Sequence, residues 1–342
     1  MLLSSFLTRS TLLRSFPATA NRTATFQLFS STSLGLVKSL RQKTGAPILE
    51  CKKALAAVDN DLDQAVDHLR KLGVAAAAKR SGNSATEGLV AVAVSEDGKR
   101  GAAVELNSET DFVARNALFQ GMLSNIAAVA LDVVPEQQEG TATSDITQQL
   151  LAHSIVSDDG TTSTVGEAVE HLSGVIRENI QLRRASMMTI GTATNGKIGQ
   201  YVHNAIGPNQ GGIGCMVAIG VNHDENNNDA ELMDAMDNVG RSVSLHIAAA
   251  RPLYLDVDSI PVEDLEREKS VHTELGLASG KPANIVEKMV TGKMRKYYEE
   301  NVLVNQKSFV DEDGLPMSKV VTAIHKNATI DGFIRMEVGE DM

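Results

Sequence analysis

The 342-residue chain has 32 basic against 43 acidic residues, a formal net charge of −11, and 42% hydrophobic residues, enough apolar material for cores in two or three modules. Such an acidic chain is repelled by nucleic-acid phosphates, and 4% aromatic content without tryptophan provides no stacking platform for single strands. No stretch reaches the ~18 consecutive apolar residues of a membrane span, and the two cysteines, Cys51 and Cys215, fit a reducing compartment without a disulfide framework.

Residues 1–33 differ from the rest. They hold Arg9, Arg14 and Arg22, many Ser and Thr, and no acid, the first being Glu50. Leu2, Leu3, Phe6, Leu7, Leu12, Leu13 and Phe16 can line one face of a helix against the arginines. This is the pattern of an organellar transit peptide, and it points to the mitochondrial matrix, with a plastid as the alternative. Losing those arginines would make the mature chain more acidic still.

Residues 34–74 are predicted to form a compact three-helix module of ubiquitin-associated (UBA-like) type. Val37 and Leu40 open the first helix, which Thr44-Gly45 ends. Pro47 starts a second helix carrying Cys51, Leu55 and Val58. Asp59 or Asn60 caps a third, with Leu62, Val66 and Leu69, stopped by Gly73. Ile48 and Leu49, at the start of the second helix, are either contact residues or module core. Residues 75–84 form a linker, a short helical connector followed by the polar breaker Ser81-Gly82-Asn83-Ser84.

A first α+β subdomain is predicted over 85–184. Strands Leu89–Val94 and Ala102–Leu106 flank Asp97-Gly98, a strong hairpin signal. Next comes Thr110-Asp111-Phe112-Val113-Ala114-Arg115-Asn116, opening a helix expected from about Asp111 to Leu131. Asp111 and Thr110 then stand at its N-cap, with Phe112 on the first turn. Such a corner is either an ordinary helix start or a site presenting a carboxylate and an aromatic wedge to another macromolecule. The segment Pro135–Asp145 is expected as a loop and Val165–Arg183 as an amphipathic helix.

A second, related subdomain is predicted over 185–342. Strands at Tyr201–Asn204 and Met216–Val221 precede a helix over Ala230–Ala249. An Asn ends the apolar strand in both halves, at Asn107 and Asn222, and both following helices carry Ile-Ala-Ala, at Ile126 and Ile247. Helical periodicity over 262–301, broken by Ser279-Gly280-Lys281-Pro282, predicts a projecting helical hairpin. A closing strand, Phe333–Val338, returns to the second sheet. The fold class is thus α+β with antiparallel sheets.

The chemistry of an enzyme site is missing from these motifs. Gly191 to Lys197 approaches a phosphate-binding loop, but Ile198 stands where a Mg²⁺-holding hydroxyl is needed; Asn195-Gly196 reads better as a hairpin turn. No His pair has zinc-ligand spacing, and Gly-x-Ser-x-Gly does not occur. Asp224, Glu225 and Asp229 complement a helix dipole more simply than they bind metal. No catalytic residue, cofactor or metal ligand is therefore assigned.

An ordered series of segments resembles the elongation factor Ts family, exchange factors for the translational GTPase elongation factor Tu. Leu36-Val37-Lys38, Leu40-Arg41, Thr44-Gly45-Ala46 and Cys51-Lys52-Lys53-Ala54-Leu55 are similar to its amino-terminal module. The run Thr110 to Asn116 is similar to its signature. Glu178-Asn179-Ile180 with Arg183-Arg184 resemble its central helix, and Tyr201-Val202-His203 its second sheet. Ser279 to Pro282 and Glu287-Lys288-Met289-Val290 resemble its coiled-coil hairpin. Gly332-Phe333-Ile334-Arg335 and Glu337-Val338-Gly339 resemble its last core strand.

The resemblance implies a guanine-nucleotide exchange factor without covalent chemistry, forming a heterodimer with organellar elongation factor Tu. The GTPase would be met in its GDP-bound and nucleotide-free forms, with no direct nucleic-acid or membrane contact. Thr110, Asp111, Phe112 and Val113 would be the contact that disturbs the GTPase's Mg²⁺ and phosphate site. His203, Ile48, Leu49 and Val37 would be secondary contacts. Pro47-Ile48-Leu49 departs from the more flexible apolar pair of bacterial members, and Met342 follows the last strand closely where many of those members continue. A ubiquitin-binding adaptor and an imported enzyme with an unrecognised site are the rival readings; neither accounts for the ordered segments.

Overall fold

The computed structural model describes residues 34–340 except 134–140, 158–159, 192–194, 222–229 and 310–313. The expected leader, and Asp224, Glu225 and Asp229, lie outside the described residues. The chain divides into two compact units between Lys71 and Leu72.

Three helices build the first unit: α1 (Leu34–Thr44), α2 (Ile48–Ala57) and the first half of α3 (Leu62–Arg80). Val37, Leu40, Cys51, Ala54, Leu55, Ala65 and Leu69 form its core. Gly45, at φ 67°, ends α1 in the left-handed conformation, which costs glycine little. Pro47 precedes α2 with φ −59°. Asp61 caps α3, its Oδ1 accepting from the N–H groups of Asp63 at 3.0 Å and Gln64 at 2.9 Å. The expected caps Asp59 and Asn60 instead make the left-handed turn before it, at φ 52° and 66°.

Gly73 does not stop α3, which runs on to Arg80. The tight approach there falls on Gly174 of the facing segment: a Cβ built on Gly174 would lie 2.6 Å from the Gly73 Cα, whereas one on Gly73 would meet the Gly174 Cα at an ordinary 3.8 Å. The ~1 kcal/mol helix penalty of one glycine is too small to end the helix by itself.

The second unit continues with β1 (Glu87–Val94), β2 (Arg100–Ser108), α4 (Ala117–Ala130), β3 (Ala142–Asp145), α5 (Thr147–Ala152), β4 (Ser154–Val156), β5 (Thr162–Thr164), α6 (Val165–Ile176) and β6 (Gln181–Thr189). Beyond these lie β7 (Asn195–His203), β8 (Gln210–Gly211), β9 (Ile213–Val221), α7 (Ala230–Ala250), α8 (Val262–Ala278), α9 (Ala283–Asn301), α10 (Met317–Thr322) and β10 (Ala328–Glu337). One sheet has the order β3-β6-β2-β1-β8, another β10-β9-β7, and β4 pairs with β5. All named pairs are antiparallel, so the α+β expectation holds.

Alternation along the strands builds the layers. On β1, Leu89 and Ala91 join Phe119, Leu123 and Ile126 of α4 and Val165, Val169 and Leu172 of α6. On β9, Cys215, Val217 and Ile219 join Val243 and Ile247 of α7. The intervening residues, Val90 and Val92 of β1 and Met216 and Ala218 of β9, meet between the two sheets together with Met188, Ile198, Ile334 and Met336. Both β1 and β9 are buried on both faces, which explains their unbroken apolar runs. Helices therefore cover the outside of a two-sheet centre.

Several local expectations change. The β1–β2 turn does form at Asp97-Gly98, with Gly98 at φ 71° and Ser95 N–H donating to Arg100 O at 2.8 Å. The expected loop Pro135–Asp145 includes β3, which pairs with β6. The helix expected over Val165–Arg183 ends at Ile176, because Arg177 adopts φ 71°. Arg183 and Arg184 consequently sit on β6, not on a helix, and β6 crosses the expected 184/185 boundary. Both reach the fully buried Glu105, at 3.1 and 2.6 Å, and Gly339 N–H adds a third bond at 2.9 Å. A buried carboxylate is tolerable only with such pairing. Asn195-Gly196 is not a turn either: it opens β7, paired with Val221 and Gly220 of the other sheet strand β9. The hairpin of 262–301 is present as α8 and α9, with Gly276 of α8 letting Val286 of α9 approach.

Candidate functional site

The corner between β2 and α4 is built from both ends of the intervening turn. Ser108 Oγ donates to Thr110 O at 3.0 Å. Glu109 Oε1 accepts from Asn179 N–H at 2.6 Å and Asn83 Nδ2 at 3.0 Å. Those bonds, the Asn83 side chain first and the Asn179 backbone second, hold the Glu109 carboxyl below its ordinary value. Next along the chain, Thr110 donates from its backbone N–H to Glu178 Oε2 at 2.9 Å and from its hydroxyl to Glu178 Oε1 at 2.7 Å. Asn179 Nδ2 closes the ring by donating to Asn83 O at 2.7 Å. Two successive residues of the corner are thus bonded to two successive residues of the segment before β6.

Beyond this clasp the chain splits into buried and projecting residues. Val113 and Ala114 are each 5% exposed and join the core beneath the first sheet. Asp111 is exposed, and Phe112 is 79% exposed. The helix begins later than expected. Val113–Arg115 forms one 3₁₀ turn, and Asn116 then caps α4, its Oδ1 accepting from Leu118 N–H at 2.9 Å. Phe112 therefore precedes α4 instead of lying on its first turn, and no helical neighbour shields it. A phenylalanine left in water forgoes about 1.5–3 kcal/mol of burial.

The remaining expected residues divide by exposure. His203 ends β7, exposed, with Tyr201 Oη 3.3 Å from its Nδ1. Ile48 and Leu49 are 48% and 58% exposed on the first turn of α2, so they are not module core. Val37 is corrected: at 4% exposure it lies inside the three-helix core and offers no contact surface. Thr110 and Val113 brace the corner with their side chains, leaving Asp111 and Phe112 to project.

Sequence reading missed the brace formed by Asn83, Glu109, Glu178 and Asn179, because its bonds join positions 26 to 96 apart. It also missed a groove of about 680 Å³ between α8 and α9, lined by Leu277, Val286, Val290 and Met294. Among the described residues no group of three His, Cys, Asp or Glu could hold a metal. Burial pushes the Cys215 thiol up to about 12, far from nucleophilic use. No helix among the described residues is long and apolar enough to cross a membrane.

The family model described as Elongation factor TS matches residues 109–340, beginning at the first residue of the clasp. The chain belongs to the elongation factor Ts family. It is 42% identical over 309 residues to Elongation factor Ts of Paramagnetospirillum magneticum, a match covering 89% of this chain and 90% of that protein. Against Elongation factor Ts of Rhodospirillum rubrum the identity is 40%, covering 89% and 92%. Against Elongation factor Ts, mitochondrial, of Zea mays it is 38% over 322 residues, covering 92% of this chain and 82% of that protein.

Proposed function

We propose that this chain is the guanine-nucleotide exchange factor of organellar elongation factor Tu, promoting GDP release during translation elongation. The observation that carries the reading is Phe112, exposed beside Asp111 on a corner clasped by Glu109 and Glu178. Membership of the elongation factor Ts family supports the partner. The maize relative's mitochondrial name supports a mitochondrial matrix location, as does the arginine-bearing segment 1–33, which we propose is a transit peptide.

An exchange factor needs no acid, base or nucleophile. It must bind the empty GTPase more tightly than the GDP-bound form, and linkage then requires GDP and the factor to weaken each other equally. Asp111 and Phe112 enter the GTPase and disturb the elements that hold Mg²⁺ and the phosphates. Burying one Phe contributes about 1.5–3 kcal/mol, and tenfold in affinity corresponds to about 1.4 kcal/mol. The prong alone thus supplies one to two decades, and the rest comes from a broad interface. His203 and the exposed pair Ile48 and Leu49 are its further contacts, with the three-helix module of residues 34–74 acting as a docking module and α8–α9 as a projecting coiled coil. The nucleotide-free heterodimer persists until GTP binds, and the acidic chain makes no direct nucleic-acid contact.

The test is GDP release from elongation factor Tu with the intact chain and with Phe112→Ala. The variant should stimulate release ten- to a hundredfold less, in line with a burial contribution of about 1.5–3 kcal/mol. Undiminished stimulation would remove the prong from the mechanism.

A further inference from the structure

The segment after His203 does not return directly to β9 but crosses to the first sheet. There Gln210 and Gly211, which form β8, pair with Ala91 and Val90 of β1, and Asn209 O accepts from Val92 N–H at 3.0 Å. The backbone is shaped for that excursion. Asn204 and Asn209 adopt φ 52° and 56°, and a Cβ on Gly211 would fall 2.5 Å from His203 O. Gly212 N–H donates to that same carbonyl at 3.1 Å.

Gln210 is 2% exposed. Its Nε2 donates to Gln120 O at 2.9 Å and to Ser124 Oγ, both on α4. Its Oε1 is buried without a partner. An unsatisfied buried acceptor is costly, and the two donated bonds offset part of that cost. Gln120 extends the connection, because its own Nε2 donates to Ala114 O at 2.8 Å, inside the corner that carries Phe112. A continuous series of short contacts thus runs from His203 through Gly212, Gln210 and Gln120 to Ala114. It joins the second sheet to the prong on the first.

We propose that Gln210 is a positioning residue: it acts as a strut that makes Phe112 and His203 one preorganised two-point surface for the GTPase. The proposal rests on the reading of the chain as an exchange factor. With the strut in place, docking through His203 delivers the prong in register without further ordering cost. Without it, docking persists while the prong inserts less often once bound. The loss then appears in the maximal rate of GDP release and not in the factor concentration that gives half of it.

The test compares Gln210→Met, which keeps the side chain's length and removes both donors, in wild-type and Phe112→Ala backgrounds of the full chain. In the wild-type background the maximal release rate should fall about fivefold, the scale of one net hydrogen bond, with the half-saturating concentration nearly unchanged. In the Phe112→Ala background the same substitution should leave the maximal rate unaltered, since no prong remains to be positioned. Ser124→Ala, at an exposed helical position where alanine favours the fold, should give a smaller effect of the same kind. An equal fall in both backgrounds, or a change confined to half-saturation, would overturn the strut and reduce Gln210 to a stability role. The exchange reading itself fails separately, if the unaltered chain does not stimulate GDP release from elongation factor Tu at all.

Discussion

Thr110 and Glu178, 68 positions apart, form a two-point clasp in which one carboxylate accepts both the backbone N–H and the hydroxyl of the threonine, at 2.9 and 2.7 Å. Hydrogen bonds to a charged acceptor are stronger than neutral ones. Together with the bonds to Glu109, they make the Phe112 corner stiff without burying Phe112. A prong on a floppy loop would incur its ordering cost at the moment of binding. The clasp meets most of that cost during folding.

Glu178→Gln should therefore affect both stability and exchange. The amide oxygen can still accept from the Thr110 N–H, but the threonine hydroxyl must turn from donor to acceptor, and the charge assistance disappears. We expect a stability loss of about 1–3 kcal/mol in urea unfolding and a lower maximal rate of GDP release. A normal rate in a stable variant would mean that the clasp serves the fold alone.

Phe112→Ala should separate the two properties. The side chain is 79% exposed, so the unfolding free energy should change by no more than about 0.5 kcal/mol, while exchange falls by one to two decades. Calorimetry beside a release assay checks both. A large drop in thermal stability would show that Phe112 is buried in solution.

Ile48→Glu and Leu49→Glu test the amino-terminal module. Both positions are about half exposed on α2, whereas their neighbour Cys51 is fully buried. Folding should be indifferent to either change, within about 0.5 kcal/mol. Association with elongation factor Tu should weaken, as titration calorimetry would show. Unchanged association would confine docking to the second unit.

Gly199→Ala should be among the costly small substitutions in the second unit. A Cβ there would meet the Gly240 backbone at 2.3 Å, so α7 must move off β7. Overpacking of this kind typically costs about 1–3 kcal/mol, visible as a lowered unfolding midpoint. Gly121→Ala is the control, since a Cβ at that helical position meets nothing within 4 Å.

His246 gives the fold a pH dependence near neutrality. It is fully buried on α7, its Nε2 3.0 Å from Gln306 Oε1. Burial lowers its pKa from the ordinary 6.5, and the Gln306 bond opposes this only in part. The unfolded imidazole accordingly takes up a proton before the folded one does. Stability should be complete above about pH 6.5 and decline as pH falls below it toward the folded value. Thermal unfolding measured between about pH 7.5 and 5.5 should show this slope, and His246→Gln should flatten it. A slope unchanged in the variant would assign the effect to other groups.

Local signals determined a large part of this protein. The Asp97-Gly98 turn, the Gly45 stop and the 262–301 hairpin were all legible, because each depends on residues within a few positions of one another. The signature around Phe112 was legible as a motif for the same reason. What escaped was whatever long-range pairing decides. Gly73 resembles a helix stop until α3 is seen to run through it to Arg80. Arg183 and Arg184 read as helical until Glu105 on β2 draws them onto a strand. Asn195-Gly196 reads as a turn until β9 pairs with it. Val37 could not be told from a surface contact, nor Ile48 and Leu49 from module core, since one helical stripe can face a core or a partner. Nor does sequence spacing indicate that Glu178 would grip Thr110, or that Gln210 would reach α4. Those bonds arise only when β2, β6 and β8 come together in one sheet, and nothing local encodes the distance between their ends.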